Sequence, residues 1–207
     1  KGKLADDFKQ CGPTCGVYSL AYALDKLEFE CKKDHDTLMG WATEVAFGSN
    51  IGLGCNPIAL TSLALKLTSG KFDVQFYADI EALKKCAESV KSDLEDLDKM
   101  ANECLGAHYI KADYDYHNLH EGEVCIGIFA VGMFEAVDVK KGFLKQFKDN
   151  PAKLHYMMIQ RQGTEYYVFD SNVGSNKPIT IENGKVLSTS PYTYSGLAIV
   201  LSRKEGK

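Results

Sequence analysis

Apolar residues fall at Val17, Leu20, Ala21, Leu24 and Leu27, the spacing of one helix face, and predict a helix over residues 13–27. Pro13 suits its first turn, because its φ is already near helical values and the N–H it lacks would have no partner there. A charged turn over 28–36 follows, then a second helical pattern over 35–47 that carries the only tryptophan, Trp41. The glycine-rich stretch 48–55 breaks the pattern strongly and reads as a connector or as one wall of a cleft. Asn56 and Pro57 form a cap followed by proline at the first helical position, so a third helix is expected over 58–67, ended by Gly70. Phe72, Val74, Phe76 and Ala78 then alternate with polar residues, the pattern of a half-buried strand.

From Asp79 the period returns to helical. Ile80, Leu83, Ala87, Val90, Leu94, Leu97, Met100 and Cys104 form one face up to Gly106, in one helix or in two with a bend. Lys84, Lys85, Glu88, Lys91, Glu95 and Lys99 make the opposite, solvated face. Residues 109–120 are mixed and aromatic and read as loop. Beyond Glu123 the pattern becomes β. The unbroken apolar run 124–131 predicts a buried central strand. A short amphipathic helix is expected over 134–148. Residues 154–161 and 165–170 read as two strands of a hairpin turned at Gln162-Gly163-Thr164, and 178–181 and 197–202 as further strands. Helices first and antiparallel strands second give an α+β fold. The layout is a single domain over 1–207, helical over 1–120 and mainly β over 121–207, with the N-terminal helix packed on the later sheet.

Composition narrows the function classes. A chain of 207 residues is ample for one domain with a real core. Its net charge of −4, with Lys and Arg scattered and outnumbered, argues against nucleic acid as a partner. No apolar run reaches membrane-spanning length. No signal peptide is visible, and the opening Lys1-Gly2-Lys3 reads as a domain cut from something longer or as a processed product. The seven cysteines are odd in number and irregularly spaced, which favours a reducing, cytosolic setting over a disulfide framework. Cys11 and Cys15 have the spacing of two zinc ligands, yet no second Cys/His pair follows, so no metal or cofactor is expected.

The candidate chemistry sits at both ends of the chain. Cys15 falls in the first turn of the first helix, where unpaired N–H groups and the macrodipole favour negative charge and hence the reactive thiolate. Gln10 stands just upstream, an amide able to donate to an oxyanion beside the sulfur. His155 opens one strand of the hairpin and Asp170 closes the other, so folding brings them side by side. A nucleophilic thiol needs such an imidazole, and the imidazole needs an acceptor behind it. Asp170 serves, with Asn172 as a substitute. Each residue has an ordinary reading: Cys15 a small buried hydrophobe, His155 a strand-end histidine, Asp170 a turn residue. Their joint occurrence favours catalysis. His108, His117 and His120 cluster near the aromatic loop and read as surface histidines unless a partner converges on them.

Gln10-Cys11-Gly12-Pro13-Thr14-Cys15-Gly16-Val17-Tyr18-Ser19-Leu20 resembles the motif of the actin maturation protease. His155 followed by Val168-Phe169-Asp170-Ser171-Asn172-Val173-Gly174 is similar to type III secreted effector proteases. Cys11-Gly12-Pro13-Thr14-Cys15 also resembles the double-glycine leader peptidases of bacteriocin exporters. Together these place the chain near the papain-like cysteine peptidases, over residues 8–27 and 153–175 only. The resemblance implies a papain-like fold, a protein or peptide substrate, and a thiol peptidase working through a thioester. It assigns Cys15 as nucleophile, His155 as base and proton donor, Asp170 as orienter and Gln10 as oxyanion donor. In the leader peptidases the cysteine before Gly-Pro is the nucleophile, which here is Cys11. Those enzymes keep a glutamine about six residues upstream, where this chain has Ala5, so the oxyanion argument favours Cys15 and leaves Cys11 as the alternative nucleophile. The same acyl-enzyme also serves a deamidase, a transglutaminase or an acyltransferase, and the fold alone serves an inactive binding module. The effector-like motif implies a bacterial protein acting in a host cytosol.

Overall fold

The structure, a computed structural model, describes residues 3–47, 54–81, 91–131, 154–187 and 192–204, with backbone only at 91–95. Helix α1 (Cys15–Lys26) buries the predicted apolar face, and also Tyr18, Ser19, Tyr22 and Ala23, so it is enclosed on all sides. Helix α2 (His35–Val45) is capped by the Asp34 carboxylate, which accepts from Thr37 N–H at 2.8 Å. It ends two residues short of expectation, because Ala46 leaves to bridge Cys55. Helix α3 (Pro57–Thr68) starts as its sequence requires, with the Asn56 side chain accepting from Ile58 N–H at 2.9 Å and Pro57 in the first turn. Helix α4 (Lys91–Leu105) continues the long helical pattern. Whether that pattern bends falls outside the described residues, as does the helix expected over 134–148.

The strands are β1 (Phe72–Tyr77), β2 (Tyr109–Ile110), β3 (Glu123–Val131), β4 (Leu154–Gln162), β5 (Glu165–Phe169), β6 (Ile179–Glu182), β7 (Lys185–Val186) and β8 (Tyr192–Arg203). They form a sheet in the order β2-β1-β8-β3-β4-β5-β6-β7, and β7 returns to pair with β8, which closes an antiparallel barrel. β8 makes the closure possible. Thr193 pairs with Lys185 of β7, while residues 198–203 pair with β1. The strand changes partner around Gly196, at φ 91°, opposite a register shift between Gly127 and Phe129 in β3. The sheet is therefore not confined to the second half of the chain. β1 and β2 come from the helical half; β1 lies antiparallel to β8, and β2 parallel to β1.

Two cores result, and β4 divides them by its two-residue period. Tyr156 and Met158 join the core made with α1, α2 and α3, whereas Met157 and Ile159 join Phe129, Val168 and Tyr194. Among the described residues no helix is long and apolar enough to cross a membrane.

Candidate active site

Cys15 is the first residue of α1 and is half-buried. Thr14 precedes it but does not cap the helix; its hydroxyl donates to the Cys11 carbonyl at 2.7 Å. No acidic residue stands in the first turn. The positive end of the helix is thus left for charge at Cys15. Gly16 is required by packing. A Cβ there would lie 2.7 Å from both Cβ and Sγ of Cys55, so the wall formed by Cys55 sits directly against the first turn of α1. Tyr156 ties that wall to the barrel, its hydroxyl donating to the Cys55 carbonyl at 2.8 Å.

β4 brings the second group. The β4–β5 register pairs Met158 with Phe169, so the next residue, Asp170, stands opposite Met157 and diagonal to His155 on the same face. His155 Nε2 and Asp170 Oδ1 are 2.8 Å apart, with side chains only 7% and 8% exposed. Asp170 Oδ1 also accepts from Asn172 N–H at 2.9 Å, which fixes the carboxylate in the turn. Asn172 is exposed and contributes this backbone donor. β5 leaves β4 after Phe169, and the Tyr156 N–H donates to Cys15 Sγ at 3.5 Å.

Cys15 also acts on the His155 ring, and with Nε2 committed to Asp170 the nitrogen left to face it is Nδ1. Burial by itself would push the imidazole pKa down. The Asp170 bond and the interaction with Cys15 outweigh it and raise the value to about 9. Tyr192 lies over the ring, centroids 5.2 Å apart and planes at 29°. Burial, then the charges of Asp170 and Cys15, raise its phenol pKa. Burial, and then the Cys15 charge, likewise raise the Cys55 thiol, which stays protonated.

Gln10 is tied to Ser171, the residue that follows Asp170. Its N–H donates to the Ser171 carbonyl at 2.8 Å, its Nε2 donates to the Gly12 carbonyl at 2.8 Å, and its Oε1 accepts from Ser171 Oγ at 2.5 Å. Cys11 lies elsewhere. It is exposed, with Sγ 3.7 Å from His35 Nδ1, and that nitrogen is also 2.5 Å from the Tyr18 hydroxyl. Burial, then Cys11, raises the Tyr18 pKa, so the phenol keeps its proton. His35 Nδ1 is therefore shared between Cys11 and the Tyr18 hydroxyl.

The other histidines have local partners: His108 Nδ1 donates to the Val74 carbonyl at 3.0 Å, His117 pairs with Asp115 at 2.6 Å and His120 with Glu123 at 3.0 Å. Among the described residues no group of three or more His, Cys, Asp or Glu side chains is placed to hold a metal. Cys11 and Cys15, the suggested zinc pair, face different histidines. Sequence reasoning missed Tyr192, Ser171 and the Tyr156 N–H. Ser171 adjoins Asp170 and was reachable from it; the other two depend on β8 closure and β5 departure, which leave no local signal. Comparison of the chain with protein families, with curated proteins and with solved structures gives no match.

Proposed function

We propose that the chain is a cysteine peptidase of papain-like architecture that cleaves a peptide bond in a protein substrate. The observation that carries the reading is the convergence of Cys15, His155 and Asp170, with 141 positions between the sulfur and the Tyr156 amide that meets it. Cys15 attacks the scissile carbonyl as thiolate. The oxyanion is taken by the Gln10 amide and the Cys15 backbone N–H. The His155 imidazolium gives its proton to the leaving amine, and the thioester remains on Cys15. His155 then removes a proton from water, whose attack releases the acid and restores the thiol. Asp170 orients the ring throughout. The reaction needs reduced thiols, which suits a cytosol, including that of a host cell entered by an effector.

Mapping new N-termini in a proteome treated with active protein and with Cys15→Ala tests this. Cleavages confined to the active protein are expected. A mass gain of about one unit, or a cross-link, reassigns the same acyl-enzyme to deamidation or transfer; no modification at all leaves a binding module. An electrophilic peptide is expected to label Cys11→Ala and not Cys15→Ala.

A further inference from the structure

We infer that Ser171 is a positioning residue whose hydroxyl fixes the Gln10 amide for the oxyanion, an inference that rests on the peptidase reading above. Ser171 is fully buried. Its carbonyl accepts from the Gln10 backbone and its hydroxyl donates to Gln10 Oε1, so one residue grips Gln10 at both ends. The Gly12 carbonyl can only accept, so the amide nitrogen must face Gly12 and the oxygen must face Ser171. One Nε2–H is engaged at Gly12. The other is held in the same plane by these two bonds and is the donor left for charge developing at Cys15. Without the hydroxyl, Oε1 loses its partner, and the last torsion of a glutamine is a broad one with little preference of its own. Asp170 and Ser171 are adjacent, so a single dipeptide orients the imidazole through its first residue and the oxyanion amide through its second.

Acylation and alkylation separate these two roles. p-Nitrophenyl acetate reacts through a tetrahedral oxyanion: the thiolate bonds to the carbonyl carbon, p-nitrophenolate leaves, and an acetyl thioester remains. Iodoacetamide loses iodide at a tetrahedral carbon and forms no oxyanion. With rates corrected for the Cys15→Ala background, Ser171→Ala is expected to slow acylation about tenfold, and Gln10→Ala about 10²-fold. Alkylation by iodoacetamide and its pH profile are expected to stay unchanged in Ser171→Ala, which also reports that the variant is folded. Adding Ser171→Ala to Gln10→Ala is expected to cost nothing more, as for two residues acting through one group. Equal acylation in wild type and Ser171→Ala overturns the inference, as do losses that multiply in the double variant. A parallel fall in alkylation also overturns it, because Ser171 would then act through Asp170 and the imidazole. Wild-type alkylation that is indifferent to His155→Ala is a different failure: it removes the peptidase reading, and this inference with it.

Discussion

At the scale of single residues, the imidazole is held charged against its surroundings. Burial works against a proton on His155, yet the bond to Asp170 and the interaction with Cys15 bring its pKa to about 9. In the proposed peptidase the protonated ring expels the amine, so amide cleavage is expected to hold to near pH 9 and to fall above it. Asp170→Asn offers the ring a neutral acceptor that holds an imidazolium less well. The falling limb of the pH–rate profile should then move to lower pH, with a rate loss of about 10²-fold or more. A limb that stays in place would show that Asp170 does not hold the ring. Tyr192 can be read in the same assay. Tyr192→Phe keeps the ring that covers His155 and should leave the profile nearly unaltered, whereas Tyr192→Ala opens the imidazole to water and should shift it.

At the scale of elements, the Asp170 turn is braced by the segment ahead of α1. Asn176 N–H donates to the Asp6 carbonyl at 3.4 Å, Ser175 Oγ to the Ala5 carbonyl at 2.5 Å, and the Tyr22 hydroxyl to the Phe8 carbonyl. Gly174, at φ 143°, is the closest approach: a Cβ there would lie 2.6 Å from the Asp6 carbonyl oxygen. Gly174→Ala is expected to displace the strap, and with it Gln10, so that melting temperature and activity fall together. Gly163→Ala, in the β4–β5 turn at φ 65° with open space around it, supplies the control. It should cost about 1 kcal/mol from the left-handed backbone alone and spare activity. If the two variants lose activity equally, the strap does not support the site. The hairpin itself was legible, because two apolar runs separated by a glycine turn fix a register, and that register places Asp170 near His155. The strap was not: residues 4–8 make their bonds through backbone atoms, which carry no sequence signature. β8 was half legible. Its apolar end 197–202 reads as a strand, but Tyr192 to Gly196 lack an apolar run, and their pairing follows from barrel closure.

At the scale of the whole molecule, the candidate site lies where the helices meet the barrel. α1 supplies the sulfur, β4 the imidazole, and the turn after β5 the carboxylate, so charge on one ring ties both layers together. Helices α1 to α3 and most strands could be placed from periodicity. How the layers join could not, since Gly16 against Cys55 and Tyr156 against Cys55 are contacts between distant segments. The charge on the ring has a consequence for stability as well as rate. The folded pKa of His155, about 9, lies above its ordinary 6.5, so the native state binds this proton more tightly than the unfolded chain does. The stabilisation is complete below pH 6.5 and is lost as pH rises through 9. His155→Gln removes that contribution, while the other groups facing the position, Asp170, Cys15 and Tyr192, remain. Melting temperatures of wild type and variant, followed from about pH 6 to about pH 10, should therefore differ most at the acid end and draw together towards the alkaline end. A gap that stays constant across that window would mean that the ring carries no extra proton in the folded protein, and the imidazolium on which leaving-group departure depends would have to be abandoned.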